Sequence, residues 1–478
     1  MASNTTSLLY PQIQAEQPGL CGLAIFAGDI AAVAVSIMLA VGMRTLLGPA
    51  TELAPHWHTL PVIGVFAAVY ALFGLYPGIA LNAVAEMRKL TTATTLVFVL
   101  LATGLFLLKE GNTYSRFVFV MAWALALVLV PVVRTQVRAV FGKRAWWGFP
   151  VAVFAATDEA HDITAGLRKR PHTGLLPAVI YSHDHDGPSH TAGVPVFATY
   201  EHAATAAQQL RLQHAIIATS QLPARHMSRL LETGGGNFSK FYVMPGLDGY
   251  SSESVEARQI GDTLTLEIRR NLLLPSCQLT KGLIDRCISF LLLLLLAPLF
   301  ALVAIAIRLE SRGAALFQHR RVGLGGREFG VWKFRSMHPD GDAILARHFA
   351  AHPEDEEVWR SERKLRNDPR VTRLGRLLRK TSLDELPQLW NVLRGDMSLV
   401  GPRPIVRDEI DKYGEQFHMY CRVMPGLTGL WQVSGRSETN YQQRVDLDAY
   451  YVRNWSPWFD IYLLFSTFRV VIKCEGAY

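Results

Sequence analysis

Two adjacent acidic residues, Asp384 and Glu385, lie in the stretch KTSLDELPQLWN, which spans Lys380–Asn391. Ser382 and Glu385 fit a capping box, so we expect a helix to begin at Ser382 with both carboxylates in its first turn. The helix dipole and nearby arginines would lower the pKa of both carboxyls and keep Asp384 ionised. An ionised aspartate is the nucleophile toward phosphorus in aspartyl-phosphate enzymes. Helix capping alone is the alternative, because acidic residues are common in first turns.

The same pair of carboxylates also suits a metal ion. Mg²⁺ is held by one or two carboxylates together with substrate phosphates. Asp384 and Glu385 are therefore the predicted metal ligands as well as the predicted catalytic residues.

A rigid loop, GDMSLVGPRP, follows at Gly395–Pro404. Its two prolines, Pro402 and Pro404, fix a turn from which Arg403 projects. A guanidinium on a fixed turn suits a diphosphate or a uracil edge, although a structural turn is the alternative. Trp431, in the glycine-rich stretch PGLTGLWQVSGR, is available for stacking.

A cationic segment, RNDPRVTRLGRLLRK, precedes the acidic pair. Arg373, Arg376 and Arg379 recur every three residues, and leucines fill another face of the predicted helix. Such a helix suits the membrane interface, with its leucines in lipid and its arginines at headgroups or at a lipid phosphate. A solvated amphipathic helix is the alternative.

The composition points to a membrane protein with anionic ligands. Of 478 residues, 50% are hydrophobic and 18% are charged, and the net charge is +8. A basic chain suits nucleic acid, an anionic membrane face or phosphorylated substrates, and the apolar runs favour the last two. The five cysteines form no close pair, so we expect no disulfide framework and no zinc site. A basic n-region is missing, so no cleavable signal peptide is predicted.

Four apolar stretches are long enough, or nearly so, to cross a bilayer. Lys and Arg are more frequent in the loop between the second and third stretches and after the fourth, so both termini are expected in the cytoplasm. Asp29 lies inside the first stretch and is interpreted as a helix-packing residue or as a functional intramembrane acid. The predicted spans are Cys21–Met43, Leu60–Leu81, Thr92–Leu108 and Phe117–Val133.

A small doubly wound α/β domain is predicted after the spans, because short apolar runs alternate with alanine-rich helical segments. Its first strand–helix turn reads FAATDEA, without the glycines that hold a dinucleotide. SHDHD (Ser182–Asp186) and Gly234–Gly236 are interpreted as a loop and a turn rather than as a metal site and a phosphate cradle. The predicted strands are Pro150–Ala155, Pro177–Ser182, His214–Thr219 and Lys240–Pro245.

A fifth apolar segment, Ile288–Ile307, has basic residues on both flanks and Pro298 at its middle. A spanning helix should show asymmetric flanks, and a central proline kinks a helix. A re-entrant helix that enters and leaves on one face is therefore preferred to a span. Near the C-terminus, the aromatic-rich Trp455–Ile472 suits the membrane interface. The predicted domains are a four-helix transmembrane bundle over 1–147, a Rossmann-like α/β domain over 148–250, a linker with short strands over 251–280 and a mainly α catalytic domain over 281–478, whose re-entrant helix covers about 285–310.

The region 276–478 resembles the bacterial sugar transferase family, the monotopic polyprenyl-phosphate hexose-1-phosphate transferases. The resemblance rests on several long motifs in one order, and the spans plus the α/β domain resemble the large members of the family. Those motifs are HRRVGLGGREFGVWKFRSM, DPRVTRLGRLLRKTSLDELPQLWNVLRGDMSLVGPRP, PGLTGLWQVSGR and LDAYYVRNWSPWFDI.

The resemblance implies a two-step reaction on the cytoplasmic face of the bacterial inner membrane. Asp384 would attack the β-phosphate of a UDP-sugar, releasing UMP, with Glu385 tied to Mg²⁺ and proton handling. Undecaprenyl phosphate would then take the phosphosugar from the enzyme. Pro298 matches the break of the re-entrant helix. The resemblance, together with the cationic segment, also implies sites for the polyprenyl phosphate (Arg376, Arg379, Lys380) and for the uridine diphosphate (Lys333, Arg335, Pro402, Arg403, Pro404).

PRPIV and the terminal EGAY are most similar to family members that transfer galactose 1-phosphate in O-antigen and exopolysaccharide synthesis. Glucose is the next candidate, and the large relatives suggest a homodimer. A membrane-bound nucleotide-sugar dehydratase is the rival enzyme class, but it needs a glycine-rich NAD turn and a Tyr-x-x-x-Lys pair, which the chain lacks. A non-enzymatic scaffold would have no reason to keep the acid pair, the arginines and the PRP turn together.

Overall fold

A computed structural model describes residues 18–47, 59–107, 115–144, 146–182, 190–220, 238–247, 249–260, 263–353, 355–356, 365, 368–434 and 440–473. The Gly234–Gly236 turn, the SHDHD loop beyond Ser182 and the terminal EGAY lie outside these residues. The chain divides into two compact units, Met1–Asp248 and Gly249–Tyr478.

The first unit begins with apolar helices, and three of them have the length and composition to cross a membrane. Their predicted bounds need correction. The helix predicted to end at Leu81 ends at Leu72, because Gly74 and Gly78 adopt left-handed backbone on either side of Pro77. The third and fourth helices are longer than predicted and include basic residues that had been placed in loops. The helices are Pro18–Leu46, Thr59–Leu72, Ala83–Leu107 and Arg116–Phe141.

Buried charges hold three of these helices together. Arg134 is 1% exposed, and its Nε and Nη2 donate to the Asp29 carboxylate at 2.8 and 2.6 Å. Its Nη1 donates to Glu86 at 2.9 Å, and Arg138 pairs with the same carboxylate. The Tyr76 hydroxyl adds a bond of 2.8 Å to Asp29. Asp29 therefore acts in helix packing, the first of its two predicted roles.

The α/β domain confirms the predicted doubly wound architecture. One six-stranded sheet has the order β3-β4-β2-β1-β5-β6, and all its pairs are parallel except β3 with β4. The sequence missed β3 and β4, which are short. Helices Thr157–Lys169 and Tyr200–Gln209 connect strands, and the strands are β1 (Phe149–Phe154), β2 (Leu175–Tyr181), β3 (His190–Thr191), β4 (Val194–Phe197), β5 (His214–Ala218) and β6 (Lys240–Met244).

The second unit begins with a β-hairpin, β7 (Val255–Ile260) with β8 (Thr263–Ile268), in the segment predicted as a linker. The long helix that follows is Pro275–Glu310, so it starts before the predicted residue 285. β9 (Leu316–Val322) and β10 (Glu328–Phe334) form a second hairpin, and β11 (Ser398–Val400) pairs in parallel with β12 (Gly426–Thr428). The remaining helices are Gly341–Ala351, Arg373–Lys380, Leu389–Arg394, Ile410–Tyr413, Phe417–Tyr420, Leu430–Val433, Tyr441–Arg453 and Pro457–Lys473.

The long helix carries Pro298 inside a continuous helical segment and has the length and composition of a membrane span. Its middle is exposed, with Leu294 and Leu295 at 67% and 72%. Both ends of this helix nevertheless pack against other parts of the second unit. Ser398 donates to Asp285 near one end at 2.6 Å, and Ile307 near the other end joins a buried apolar cluster with residues of β10 and Arg373–Lys380.

Candidate active site

The two predicted catalytic carboxylates lie in a short 3₁₀ turn, Leu383–Gln388, rather than in the predicted α-helix. The predicted capping box is also wrong. Ser382 precedes the turn with φ 57° and ψ 17°, a left-handed conformation, and its side chain makes no capping hydrogen bond. Pro387 lies inside the turn and is buried. A left-handed residue other than glycine is uncommon and often marks a functional constraint.

The acidic pair lies against β10, which brings Lys333 beside it. Lys333 Nζ donates to Glu385 Oε1 at 2.7 Å. Burial, followed by the negative charge of Glu385, raises the pKa of Asp384 to about 6, although Lys333 and Arg379 act in the opposite direction. The predicted lowering of this pKa is therefore wrong, because a six-residue 3₁₀ turn offers little dipole and desolvation dominates. Asp384 is still mostly ionised near pH 7.

The cationic segment forms the helix Arg373–Lys380, whose first turn is capped by the Thr372 side chain accepting from Gly375 N–H at 2.9 Å. The prediction that its leucines lie in lipid holds for one residue at most, because Leu378 and Leu374 pack in a protein core cluster and Leu377 alone of the three is exposed, at 55%. The predicted polyprenyl-phosphate residues separate into two kinds. Arg376 and Lys380 are exposed, whereas Arg379 is partly buried and donates from Nε to Ser336 Oγ at 2.9 Å.

Arg379 also lies close enough to Asp384 for its positive charge to oppose the rise in that pKa. The structure thus brings Lys333 and Arg379 to the acidic pair. The guanidinium of Arg335 instead donates to the backbone oxygens of Ser311 and Arg312 at 2.8 and 3.0 Å, at the end of the long helix.

The PRP turn follows β11 and is held by close backbone packing. A Cβ on Gly401 would lie 2.6 Å from the Met424 carbonyl oxygen, so the position requires glycine. Pro402 is buried and its carbonyl accepts from Gly426 N–H at 2.8 Å, and Pro404 is partly buried. This packing aims the Arg403 side chain at Trp431.

The Arg403 guanidinium lies 5.2 Å from the centre of the Trp431 ring. Burial, followed by repulsion from Arg444, lowers the pKa of Arg403, and the charges of Glu385 and Glu409 oppose this. Trp431, predicted as a stacking surface, therefore already carries a guanidinium on a ring face.

Three further residues near Arg403 escaped the prediction. Arg444 lies 5.1 Å from the Trp431 ring centre, and Glu409 contacts both Arg444 and Arg321. Arg321 belongs to the HRRVG motif, so its position in that motif could have identified it as a candidate site residue. Arg444 sits on the helix Tyr441–Arg453 within an ordinary helical pattern, which gave no signal.

The metal prediction depends on the donor set. Among the described residues no group of three or more His, Cys, Asp or Glu side chains could hold a metal ion. Two hard carboxylates, Asp384 and Glu385, fit Mg²⁺ only if substrate phosphates and water complete the coordination, which is the usual arrangement for this ion.

Comparison with known protein families gives two matches. Residues 276–474 match the family described as bacterial sugar transferase, and residues 71–245 match one described as CoA-binding domain. The first match contains all the predicted site residues.

Several named proteins are similar to the chain. It is 35% identical to the undecaprenyl-phosphate galactose phosphotransferase of Salmonella typhimurium, over 76% of this chain and 77% of the relative. It is 34% identical to the UDP-galactose-lipid carrier transferase of Erwinia amylovora, over 76% of each chain. It is 27% identical to the UDP-glucose:undecaprenyl-phosphate glucose-1-phosphate transferase of Xanthomonas campestris pv. campestris, over 100% of this chain and 99% of the relative.

These similarities agree with the arrangement of the acidic pair, the PRP turn and the apolar helices. The protein is accordingly a membrane protein that belongs to the bacterial sugar transferase family, and it is an enzyme, a phosphoglycosyl transferase.

Proposed function

We propose that this enzyme transfers a hexose 1-phosphate, galactose 1-phosphate first among the candidates, from a UDP-sugar to undecaprenyl phosphate. The reaction would be the first membrane step of O-antigen or exopolysaccharide synthesis. The observation that carries the proposal is Asp384, a partly buried carboxylate ionised at neutral pH beside the Lys333–Glu385 ion pair and Arg379. Two of the similar proteins, from Erwinia amylovora and Salmonella typhimurium, are named for galactose, which supports the choice of sugar.

The proposed chemistry has two displacements at one phosphorus. The Asp384 carboxylate attacks the phosphorus that bears the sugar, the bond to the bridging oxygen breaks, and UMP leaves with the electron pair. A phosphate oxygen of undecaprenyl phosphate then attacks the same phosphorus, and Asp384 leaves as a carboxylate. The product is a lipid diphosphate sugar, and no oxidant or further reactant is required.

The side chains around Asp384 have separate tasks in this scheme. Lys333 holds Glu385 and supplies positive charge near the phosphoryl oxygens, where preorganised cations stabilise a transition state. Arg379 would receive the phosphate of the lipid; its position on the helix Arg373–Lys380, with its charge acting on Asp384, supports this role. When bound, Mg²⁺ would neutralise the diphosphate charge, with Asp384 and Glu385 as its protein ligands.

The long helix is proposed to be re-entrant, so that the active site faces the cytoplasm. Supporting this, Lys281 near its start pairs with Asp460, and Glu310 at its end accepts from Leu374 N–H at 3.0 Å. A helix that crossed the bilayer straight would hold Lys281 and Glu310 on opposite sides, separated by the bilayer thickness of ~30 Å. Both residues instead contact the same compact unit. Cysteine labelling near Glu328 tests this, and access only from the periplasm would rule the re-entrant arrangement out.

The direct test is UMP release from UDP-galactose by the full chain with added undecaprenyl phosphate. We expect Asp384→Asn to abolish release, because an amide is not a nucleophile toward phosphorus. Asp411→Asn, at an exposed position of the same unit, is the matched control and should keep wild-type rates. An Asp384→Asn protein that released UMP at the wild-type rate would contradict the assignment.

Glucose is the second candidate sugar. The relative from Xanthomonas campestris pv. campestris matches this chain end to end, and its name specifies glucose. A panel of UDP-sugars assayed for lipid-linked product separates the two sugars. Mass photometry of the full chain would test the homodimer, which also remains a proposal.

A further inference from the structure

Arg444 is a buried cation whose hydrogen bonds are incomplete. The residue is 6% exposed, and two of its nitrogens, Nε and Nη2, have no hydrogen-bond partner within the described part of the chain. The third nitrogen, Nη1, lies 3.4 Å from Glu409 Oε1. Charge-assisted hydrogen bonds normally measure about 2.7–2.9 Å, so this contact is loose as well.

The surroundings of Arg444 contain more positive charge than one carboxylate can satisfy. Arg403 shares the Trp431 ring with Arg444, and Arg321 Nη1 lies 3.9 Å from the second oxygen of Glu409. Burial, followed by repulsion from Arg403, lowers the pKa of Arg321. We name these four residues, Arg321, Arg403, Arg444 and Glu409, the arginine cluster.

The buried carboxyl of Asp448 does not complete the cluster. Asp448 accepts the Tyr413 hydroxyl at 2.8 Å and a backbone N–H from Arg403. Its oxygens are therefore engaged in holding the PRP turn. Burial raises the pKa of Asp448 to about 7, so near neutral pH it supplies only part of a negative charge.

The guanidinium of Arg444 is nevertheless held in a fixed orientation. Its Cζ lies 5.1 Å from the ring centres of both Trp431 and Tyr441. Aromatic faces attract a cation through the plane of the guanidinium, so they do not pair with the N–H donors at its edge. Leaving charged donors buried and unpaired is expensive, so such an arrangement points to an anionic ligand that supplies the missing acceptors.

We propose that Arg444, with Arg321 beside it, binds the diphosphate of the nucleotide sugar and positions it for attack by Asp384. This inference rests on the proposed function and adds two residues to the predicted diphosphate site. Arg321 lies on β9, which pairs with β10, the strand that carries Lys333 beside Glu385, and the charge of Glu385 acts on both Arg321 and Arg403. The lipid phosphate is the other phosphate in the reaction, and Arg379 on the helix Arg373–Lys380 is the residue assigned to it.

The test uses the full-length chain in nanodiscs, titrated with UDP and with uridine. We expect Arg444→Met to weaken UDP binding about 10- to 100-fold, the range for a lost hydrogen bond to a charged group. Uridine binding should not change, because methionine keeps the packing against Trp431 and Tyr441. Arg407→Met is the matched control, since Arg407 lies close in sequence to Glu409 and its side chain is 82% exposed.

Kinetics separate the two possible phosphates. For Arg444→Met the KM for the UDP-sugar should rise while the KM for undecaprenyl phosphate stays constant. Should the methionine variant unfold, Arg444→Lys replaces it. Lysine keeps the charge but not the planar fork, so UDP binding should still weaken severalfold.

Three results would overturn the inference: unchanged UDP affinity in a folded variant, equal weakening of UDP and uridine, or a rise confined to the KM for undecaprenyl phosphate. Each can occur while the wild-type enzyme releases UMP and Asp384→Asn does not. Failure of this inference is therefore distinct from failure of the proposed function.

Discussion

Each of the two units buries a cluster of charged side chains, and the two clusters are built differently. In the membrane cluster, defined here as Asp29, Glu86, Arg134 and Arg138, two cations meet two carboxylates. Every nitrogen of the Arg134 guanidinium donates to an acceptor, and the shortest bond measures 2.6 Å. In the arginine cluster, the guanidiniums of Arg444 and Arg321 contact Glu409 at 3.4 and 3.9 Å, Arg403 lies over the Trp431 ring, and two nitrogens of Arg444 have no partner among the described residues.

The difference separates structural charge from functional charge. A complete network fixes the helices that contribute to it and leaves nothing for a ligand to bind. An incomplete network keeps its donors preorganised for an anion, and preorganised charge is the main means by which enzymes stabilise developing charge. Counting the hydrogen-bonded donors therefore predicts the effect of a substitution in each cluster. A substitution in the membrane cluster should lower stability, and a substitution in the arginine cluster should weaken substrate binding.

The largest expected effect comes from breaking the membrane cluster. Arg134→Met removes the partner of two buried carboxylates, which in comparable buried pairs destabilises by about 3–5 kcal/mol. We expect a marked loss of folded protein and a lower thermal unfolding midpoint in detergent. Arg116→Met, at an exposed position on the same helix, should leave both unchanged. Arg444→Met in the arginine cluster should affect UDP binding far more than the unfolding midpoint.

A second variant makes this result specific. Asp29→Asn combined with Arg134→Met removes both members of one buried pair, so part of the lost stability should return. If Arg134→Met alone unfolds no earlier than wild type, the membrane cluster is not structural and the comparison fails.

The next largest expected effect is the change in the rate of UMP release with pH. The reaction requires the Asp384 carboxylate, and its pKa is raised to about 6. The rate of UMP release should therefore be constant above pH 7 and fall about tenfold per pH unit well below pH 6. Single-turnover release from UDP-galactose without lipid is the suitable measurement, because the diphosphate diester of the donor does not titrate in this range.

The cause of the raised pKa can be tested separately. Glu385→Gln removes the neighbouring negative charge, so the acidic limb should move to lower pH even though the rate is reduced. A wild-type limb near pH 4, or a limb that does not move in Glu385→Gln, would contradict this account.

Local patterns in the sequence were sufficient for four of the six strands of the α/β domain and for the acidic pair. The strands follow apolar runs bounded by turns, and Asp384 and Glu385 are adjacent in sequence, so no distant contact was needed to find them. The capping box and the direction of the Asp384 pKa shift were wrong, because both depend on burial and on Ser382 being left-handed. Local sequence does not report either property.

Three residues of the arginine cluster, all except Arg403, escaped prediction for a related reason. Arg321, Arg403, Glu409 and Arg444 come from four separate segments that only the tertiary fold brings together. Arg335 shows the opposite error, a residue that was predicted in the site but lies elsewhere. Its place in the KFRSM motif suggested a phosphate ligand, whereas its guanidinium holds backbone oxygens at the end of the long helix.

The smallest expected effect belongs to a third set of charges, on the exposed hairpin of β7 and β8. Glu256, Arg258, Glu267 and Arg269 pair across its two strands, but each of these side chains is 37–55% exposed. Water solvates such charges in the folded and the unfolded chain alike, so exposed pairs contribute little to stability.

Glu256→Gln should therefore leave the thermal unfolding midpoint and the rate of UMP release within the scatter of repeated measurements, at low and at high salt. A clear, salt-dependent loss of stability in this variant would mean that the hairpin charges are buried in the functional protein. The inference that stability depends on burial and on complete pairing, and not on the number of ion pairs, would then have to be reassessed for all three sets of charges.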